Sequence, residues 1–168
     1  MARTTIAEDF LDRHHVAHEV VSHESLVNSL DSAQATKIPP KRVAKGVLLN
    51  ADGKYVLAVT RADRHLNLGA LKQQLQAPVG LATREELDEV FDDCVLGAAP
   101  PLGPAYGIES IWDDELAKEP DLYFELGDRV HLVHMRTRDY LALLGEDRRG
   151  SFSREHTSAV YPSLWAAA

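Results

Sequence analysis

The stretch VAKGVLLNADGKYVLAVT, residues 43–60, decides the fold. Two apolar runs enclose NADG at residues 50–53, a sequence typical of a tight turn. The pattern predicts a β-hairpin with strands over residues 43–49 and 55–60. Lys45 stands inside the first apolar run, although lysine is rarely buried without a partner. On the pattern alone, Lys45 either faces solvent, with its stem along the strand, or serves a functional site.

A second stretch, GAAPPLGPAYG at residues 97–107, is rich in proline and glycine. Its prolines exclude an α-helix and a central strand, because each removes a backbone donor and fixes φ. Gly97 and Gly103 permit a positive φ or a close approach to the backbone. We therefore predict a stiff loop whose main chemistry lies in its backbone N–H and C=O groups. Such a loop either forms the wall of a small-molecule pocket or is a rigid connector.

Further helices and strands surround these two stretches. Capping residues at positions 5, 67, 83 and 137 predict helices over residues 5–15, 67–74, 83–91 and 138–144, with a helical turn over 32–37. Apolar runs predict strands over 16–21, 106–112, 122–126 and 129–135. Hairpins mixed with short helices indicate a mixed α/β or α+β fold and exclude a doubly wound parallel sheet. We expect one domain over residues 1–145, followed by a tail over 146–168 that is ordered in part at most.

The composition is that of an ordinary globular protein. The chain has 168 residues, 45% of them hydrophobic and 26% charged, with a formal net charge of −8. No apolar run approaches the ~18 residues of a membrane span, so we expect no membrane association. Cys94 is the only cysteine, which excludes an internal disulfide and fits a reducing cytoplasm. The negative charge argues against a broad nucleic-acid-binding surface.

One local stretch of the chain is cationic. No acid stands between Asp31 and Asp52, and two arginines follow the hairpin. A patch of this size suits a few phosphates, or it is a solvated face. Its residues are Lys37, Lys41, Arg42 and Lys45, with Arg61 and Arg64 after the hairpin.

Other catalytic chemistries have weaker signals. His14, His15, His18 and His23 cluster in sequence, but no cysteine or acid pair completes a zinc-like set, so we expect no metal. Cys94 lies in an apolar run and is expected to pack rather than to react. The sequence contains no Gly-x-Ser-x-Gly elbow and no glycine-rich nucleotide loop. We therefore expect no cofactor.

Three pieces of the chain together resemble one known family. They are RVAKGVLL at residues 42–49, the Gly97-x-x-x-Pro101-x-Gly103 loop and the hairpin over residues 124–132. Over residues 10–144, the chain resembles the YbaK / prolyl-tRNA synthetase-associated editing domain family. The resemblance implies a single compact mixed α/β domain, with a curved, largely antiparallel sheet surrounded by short helices. It also implies an aminoacyl-tRNA deacylase, which removes a wrong amino acid from the 3′-terminal adenosine of a tRNA, often tRNA-Pro.

The resemblance further implies roles for individual residues. The lysine that matches Lys45 contacts the terminal nucleotide or its phosphate, the loop holds the aminoacyl group through its backbone, and a ribose hydroxyl activates the water. Because backbone N–H groups at Gly97 and Ala98 can stabilise an oxyanion, we expect Lys45, Gly97 and Ala98 to be catalytic. The expected substrate-binding residues are Ala99, Pro100, Pro101, Leu102, Gly103, Glu125 and Thr60, and the expected tRNA-binding residues are Lys37, Lys41, Arg42, Arg61 and Arg64.

Glu125 departs from some relatives, in which a histidine soon follows the aromatic that matches Phe124. Its carboxylate can pair with the α-ammonium of an aminoacyl ester, or it can face solvent from the strand. We expect trans-editing of tRNA-Pro charged with alanine or cysteine, with the tRNA 3′ end and a synthetase as partners, no DNA, and a monomer or weak dimer. Two alternatives stay open: a non-catalytic module that binds a tRNA end, a nucleotide or a synthetase, and a hydrolase of other small esters or amides.

Overall fold

The computed structural model describes residues 5–22 and 38–155. The hairpin predicted over residues 43–60 is its central feature. Strand β2 (Ala44–Ala51) pairs antiparallel with strand β3 (Lys54–Arg61), and the register places Lys45 opposite Thr60. The predicted hairpin is therefore confirmed.

The turn of this hairpin is stabilised by its own residues. Asp52 and Gly53 adopt positive φ angles of 53° and 87°, which aspartate and glycine tolerate better than most residues. Asn50 Oδ1 accepts a hydrogen bond of 2.7 Å from Gly53 N–H. This local chemistry explains why the turn could be read from its sequence.

Three further strands extend the hairpin into a five-stranded mixed sheet. Strand β5 (Val79–Leu81) pairs antiparallel with β2, and strand β6 (Glu109–Asp113) pairs parallel with β3. Strand β9 (Arg149–Gly150) pairs parallel with β6 and completes the order β5-β2-β3-β6-β9. Both strands of the hairpin therefore lie in the interior of the sheet.

A second, three-stranded sheet is antiparallel throughout. It consists of β1 (Glu19–Ser22), β8 (His131–Arg136) and β7 (Asp121–Glu125), in that order. An isolated parallel bridge between Val43 and Tyr123 joins β7 to the residue that precedes β2. The bridge places one edge of this sheet beside the start of the central hairpin.

The described residues contain four α-helices, each starting at or next to its predicted cap. Thr5 and Asn67 accept backbone N–H bonds at two helix starts, and Thr83 and Glu86 form the predicted capping box. Thr137 is instead the first residue of the last helix, so the prediction of Thr137 as an N-cap is wrong. The helices are α1 (Ile6–Arg13), α2 (Leu68–Leu75), α3 (Arg84–Val90) and α4 (Thr137–Leu144).

Alternation along β2 separates two hydrophobic cores. Ala44 and Leu48 belong to the larger core, which also contains side chains of α1, α4 and β7. Leu49 belongs to the smaller core, where it joins Leu71 of α2. Lys45 is an even number of residues from Leu49, so its side chain leaves β2 on the face of the smaller core.

The segment after Gly145 contributes to the fold. Besides β9, it contains β10 (Ser153–Glu155), which pairs antiparallel with β4 (Arg64–Leu66). Phe152 is 1% exposed within the smaller core, and its N–H donates a hydrogen bond of 2.8 Å to Asp113. The packed domain thus continues through β10, whereas the sequence predicted a tail ordered in part at most. The sequence did not predict this packing, because one buried aromatic residue in a polar segment creates no periodic hydrophobic pattern.

Some predicted boundaries move. The strand predicted over 106–112 begins only at Glu109, because Gly103–Tyr106 form a 3₁₀ turn that ends at Gly107 with a φ of 68°. The strand predicted over 16–21 lies at Glu19–Ser22, and the helical turn predicted over 32–37 lies outside the described residues. The predicted fold class, mixed α/β with largely antiparallel sheets, is confirmed.

His134 on β8 connects the strands of the second sheet. Its ring stacks on Tyr123 with the centroids 4.2 Å apart, and its nitrogens lie 3.1 Å from Glu19 Oε2 and 2.5 Å from Asp121 Oδ2. Partial burial opposes protonation, but the two carboxylates outweigh this effect and raise the pKa of His134 above its ordinary value. The protonated ring therefore stabilises this sheet.

We expect His134→Gln to destabilise the protein more in acid than in alkali. A raised pKa in the folded state stabilises the fold fully below the pKa of the unfolded chain, about 6.5, and the contribution disappears as the pH rises through the folded-state pKa. Urea unfolding at about pH 5.5 and pH 8.5 measures the difference. His15→Asn, at an exposed histidine with a φ of 51°, is the control. An equal loss of stability at both pH values would contradict the assignment.

Candidate functional site

Two buried polar side chains lie opposite each other at the start of the hairpin. Lys45 on β2 and Thr60 on β3 are cross-strand partners, 1% and 0% exposed. Neither Lys45 Nζ nor Thr60 Oγ1 has a hydrogen-bond partner among the described residues. The interpretation that Lys45 faces solvent is therefore wrong. Because buried polar atoms normally have partners, this pair is the strongest candidate for contact with a ligand's oxygen atoms.

Burial controls the charge of Lys45. Desolvation lowers its pKa from 10.5 to about 8, while the carboxylate of Asp63 raises it and offsets part of that effect. Asp63 is itself held by Arg61, whose Nε and Nη2 donate hydrogen bonds of 2.9 and 2.7 Å. At neutral pH the ammonium is thus still mainly protonated. A compact charge of this kind suits a phosphate or a carbonyl oxygen.

The proline-rich loop is fixed on the face of the larger core. Gly97 adopts a φ of 81°, a left-handed conformation that favours glycine. Pro101 packs on Gly46 of β2, since a Cβ at Gly46 would lie 3.1 Å from Pro101 Cα. The Tyr140 hydroxyl of α4 donates a hydrogen bond to the Pro101 carbonyl. At Gly103, a Cβ would collide with the backbone that follows the loop. The positive φ therefore explains the glycine at position 97, and the lack of space for a Cβ explains the glycine at position 103.

The loop and Lys45 meet at neighbouring residues of β2. Pro101 contacts Gly46, whereas the Lys45 side chain leaves the strand on the opposite face, beside Thr60. The sequence predicted Lys45, Gly97 and Ala98 as one catalytic group. The structure brings the loop to the backbone next to Lys45, and Lys45 Nζ has no hydrogen bond to the loop.

The backbone donors of the loop differ in availability. Ala98 N–H, predicted as an oxyanion donor, donates a hydrogen bond of 2.8 Å to the Val95 carbonyl. The N–H groups of Gly97 and Ala99 have no such partner among the residues that the structure describes. The N–H groups of Gly97 and Ala99 are therefore unpaired donors on either side of Ala98. The hydrogen bond at Ala98 has no signal in the sequence.

The remaining substrate-binding residues predicted in the loop are buried. Pro100, Pro101, Leu102 and Gly103 all have little exposed surface, and Leu102 belongs to the larger core. Leu102 N–H donates a hydrogen bond of 2.8 Å to the Pro100 carbonyl. These residues shape the loop, and the backbone of residues 97–99 carries its unpaired donors.

Glu125 ends β7 and is 1% exposed, so the alternative that it faces solvent is wrong. Its Oε1 accepts hydrogen bonds of 2.9 Å from Gly127 N–H and 2.8 Å from Arg129 N–H. These bonds offset the cost of burying a carboxylate. Pairing of Glu125 with an α-ammonium stays a prediction.

Two of the predicted tRNA-binding cations, Lys41 and Arg42, lie near acids that are distant in sequence. Arg42 Nη2 is 2.7 Å from Asp121 Oδ1, and Lys41 Nζ is 4.0 Å from Glu119 Oε1. The stretch had no acid of its own, and these partners come from residues 119–121. The other contacts join Arg61 to Asp63 and Glu115, and Arg64 to Ser153. Lys37 lies outside the described residues.

Cys94 packs rather than reacts. Its Sγ lies 3.4 Å from the Tyr106 hydroxyl and 3.3 Å from Asp93 Oδ1, and burial raises the pKa of Cys94 to about 12. The thiol therefore stays protonated at neutral pH. Within residues 5–22 and 38–155, no three His, Cys, Asp or Glu side chains cluster as metal ligands would, and no helix is long and apolar enough to cross a membrane.

A buried cation on one face of β2 and a loop with unpaired backbone donors on the other face are the candidate site features of this mixed α/β fold. Residues 23–143 match the family model of the aminoacyl-tRNA editing domain. The chain therefore belongs to the aminoacyl-tRNA editing domain family, as the sequence predicted.

Sequence relatives include two proline–tRNA ligases, from Geobacillus thermodenitrificans (strain NG80-2) and Geobacillus kaustophilus (strain HTA426). Each is 36% identical over 86 residues, which is 51% of this chain and 15% of the ligase. The match thus spans a small part of these enzymes.

Solved structures share the fold. The hypothetical protein APE2540 aligns with a TM-score of 0.78 and 18% identity, over 89% of this chain and 99% of its own. A protein proposed to be a trans-editing enzyme for prolyl tRNA synthetase aligns with a TM-score of 0.76 and 21% identity, over 91% of this chain and 99% of its own. At this level of identity the likeness shows the fold alone.

We expect Lys45→Met to stabilise the protein. The pKa of Lys45, lowered from 10.5 to about 8, corresponds to about 3 kcal/mol of destabilisation at neutral pH. Methionine fills similar space without a charge, so the free energy of unfolding should rise by about 1–3 kcal/mol. Urea unfolding at about pH 7 measures this change.

The pH dependence of the Lys45→Met effect provides its control. The destabilisation by the buried Lys45 charge is complete below the folded-state pKa of about 8. It disappears as the pH rises through the unfolded-state pKa of 10.5, because the lysine is then neutral in both the folded and the unfolded protein. The difference between wild type and variant should therefore shrink in alkali. A destabilised Lys45→Met protein would show that the ammonium supports the fold.

Proposed function

We propose that this protein is a trans-editing aminoacyl-tRNA deacylase, which hydrolyses the ester bond of a mischarged tRNA. The proposal is carried by the buried, unpaired ammonium of Lys45 in a chain of the editing family. An aminoacyl ester is an activated substrate, so modest catalysis suffices. The site must position water, stabilise an oxyanion and exclude wrong substrates.

In the proposed reaction, water adds to the ester carbonyl carbon, and the bond from that carbon to the ribose oxygen breaks. The products are the free amino acid and a tRNA with a free terminal hydroxyl, which takes up the proton released by the water. N–H groups of Gly97 and Ala99 would stabilise the oxyanion. Lys45, on the face of β2 opposite the loop, would hold the terminal phosphate, with Thr60 beside it, and a ribose hydroxyl of the substrate would activate the water.

We infer that the substrate is tRNA-Pro charged with alanine or cysteine. The sequence likeness to proline–tRNA ligases supports this tRNA. The loop contains small or rigid residues at Ala98, Ala99 and Pro100, and such residues favour a small aminoacyl group. Because one methylene changes binding by only ~1–3 kcal/mol, a partner synthetase would share in the choice of substrate. The substrate is made in the cytoplasm, where we expect the protein to act as a monomer or weak dimer.

The surface cations would contact the tRNA by leaving their carboxylate partners and pairing with phosphates of the tRNA. Exposed ion pairs contribute only ~0–1 kcal/mol each, so a phosphate can replace the carboxylate. Lys41, whose side chain is 56% exposed and whose Nζ is 4.0 Å from Glu119 Oε1, has a more exposed side chain than Arg42 or Arg61. Arg42, paired with Asp121, would contribute in the same way, whereas Arg61 and Arg64 would have to leave Asp63 and Ser153.

Hydrolysis of Ala-tRNA-Pro and Cys-tRNA-Pro tests the proposed function. We expect Lys45→Ala and Lys45→Met to lower enzyme-dependent hydrolysis by more than about tenfold, because both remove the cation that would bind the substrate. Lys72→Ala, at an exposed lysine of α2, is the matched control and should retain wild-type activity.

The same assay separates the alternatives. If wild type hydrolyses neither substrate but still binds tRNA, the protein is a non-catalytic binding module. If it hydrolyses small esters and an aminoacyl-adenosine analogue does not compete, it is a hydrolase that does not recognise the tRNA end. Either result would overturn the deacylase proposal.

The pH dependence of deacylation gives a separate prediction. The enzyme-dependent rate should fall as the pH rises through about 8, because Lys45 then loses its charge. The Asp63 carboxylate raises the pKa of Lys45, so Asp63→Asn should move this fall to lower pH. The rate is measured at each pH after subtraction of uncatalysed hydrolysis. Asp147→Asn, at an exposed acid, is the control. An unchanged midpoint in Asp63→Asn would contradict the prediction.

A further inference from the structure

We infer that Glu125 is a positioning residue, which holds loop residues 97–99 in their conformation without contacting the substrate. The inference rests on the proposed function, because it concerns the loop that would hold the ester. It assigns Glu125 a role different from the predicted pairing with an α-ammonium. A series of hydrogen bonds connects the Glu125 carboxylate to the loop.

The carboxylate of Glu125 fixes the turn between β7 and β8. Its Oε1 accepts the N–H groups of Gly127 and Arg129 at 2.9 and 2.8 Å. Arg129 has a φ of 59°, a left-handed conformation that is unfavourable for a non-glycine residue. Asp128 Oδ1 fixes the other half of the turn, since it accepts Val130 N–H at 2.9 Å and His131 N–H at 2.8 Å. The turn is therefore held from two sides.

The same turn binds the chain that enters the loop. Gly127 accepts a hydrogen bond of 2.8 Å from Val95 N–H through its carbonyl. Arg129 Nη2 donates a hydrogen bond of 2.9 Å to the Leu96 carbonyl. Both residues that donate hydrogen bonds to Glu125 are thus bonded to the two residues that precede Gly97.

The turn also contacts the far side of the loop. A Cβ at Gly127 would lie 2.7 Å from Cys94 Sγ and 3.4 Å from Pro100 Cγ, so the turn backbone packs against both residues. Cys94 and Pro100 flank residues 97–99 in the chain. A movement of the turn would therefore displace both ends of the segment that carries the free donors.

The last step of the series lies within the loop. The Val95 carbonyl accepts the hydrogen bond of 2.8 Å from Ala98 N–H. The Glu125 carboxylate is thus connected through Gly127 and Val95 to the peptide between Gly97 and Ala98. The free N–H groups of Gly97 and Ala99 lie on either side of that peptide's donor. Glu125 therefore acts on the proposed oxyanion site through the backbone.

Glu125→Gln and Glu125→Ala distinguish positioning from recognition of an ammonium group. Glutamine keeps an oxygen that can accept both turn N–H groups but has no charge, whereas alanine has neither. We expect Glu125→Ala to lower kcat by more than about tenfold with KM within about threefold, and Glu125→Gln to keep kcat within about threefold of wild type. Glu85→Gln, at an exposed acid of α3, is the control.

Two results of this assay would overturn the inference. One is a Glu125→Gln variant as impaired as Glu125→Ala, because the charge would then be what matters. The other is a loss in Glu125→Ala that is confined to Ala-tRNA-Pro and absent for N-acetyl-Ala-tRNA-Pro, which has no ammonium group. An equal loss for both substrates supports positioning.

Hydrogen exchange tests the same inference without catalysis. Val95 and Ala98 N–H should exchange faster in Glu125→Ala than in wild type, and Glu125→Gln should resemble wild type. Unchanged exchange at Val95 in Glu125→Ala would overturn the inference. A wild type that hydrolyses no mischarged tRNA would overturn the proposed function instead, and the exchange result would still decide the role of Glu125.

Arg129→Gly serves if Glu125→Ala does not fold. Glycine suits the φ of 59° and keeps the two backbone N–H groups that donate to Glu125 Oε1, but it removes the side chain that donates to the Leu96 carbonyl. We expect a lower kcat with an unchanged KM and faster exchange at residues 95–98. Wild-type kcat together with wild-type exchange would overturn the inference.

Discussion

The register of the β2–β3 hairpin is the constraint on which the site depends. It places Lys45 opposite Thr60 on one face and puts Gly46 against Pro101 on the other. A slip of one residue would exchange the two faces and bring a lysine side chain to the position of Gly46, where even a Cβ would lie 3.1 Å from Pro101 Cα. Leu48 is buried in the larger core and Leu49 in the smaller core, so both would have to leave their cores in such a slip. The same register therefore positions the ammonium and the loop.

The loop presents backbone rather than side chains, so its chemistry depends on what holds it. Its prolines supply no N–H groups and limit the conformations of their neighbours. Gly46 provides space below Pro101, Tyr140 binds the Pro101 carbonyl, and the turn after Glu125 binds the entering chain. Donors that are fixed before the substrate arrives stabilise a developing charge without further reorganisation. The residues that determine such a site therefore include ones that never touch the substrate.

Sequence predicted the features that depend on near neighbours. The turn after Asn50 and the capping box of Thr83 involve residues three apart, so their patterns are complete in the chain. The pairing of Arg42 with Asp121 and the burial of Phe152 depend on how distant segments meet. The loop motif was likewise visible, but the use of Ala98 N–H in a turn was not. Pattern thus predicted which elements form, and the tertiary fold decided which polar groups stay available.

The distribution of charge separates two kinds of contact with an anionic substrate. At the surface, Lys41 and Arg42 lie beside Glu119 and Asp121, in a chain of net charge −8. Water and salt weaken such pairs, so they provide little affinity for the body of a tRNA. Lys45 is buried away from water. A charge in this environment interacts more strongly with an oxygen atom that contacts it than a charge in water does. In the proposed reaction, recognition would therefore concentrate on the terminal nucleotide, whose phosphate would contact the ammonium, and would depend little on the body of the tRNA.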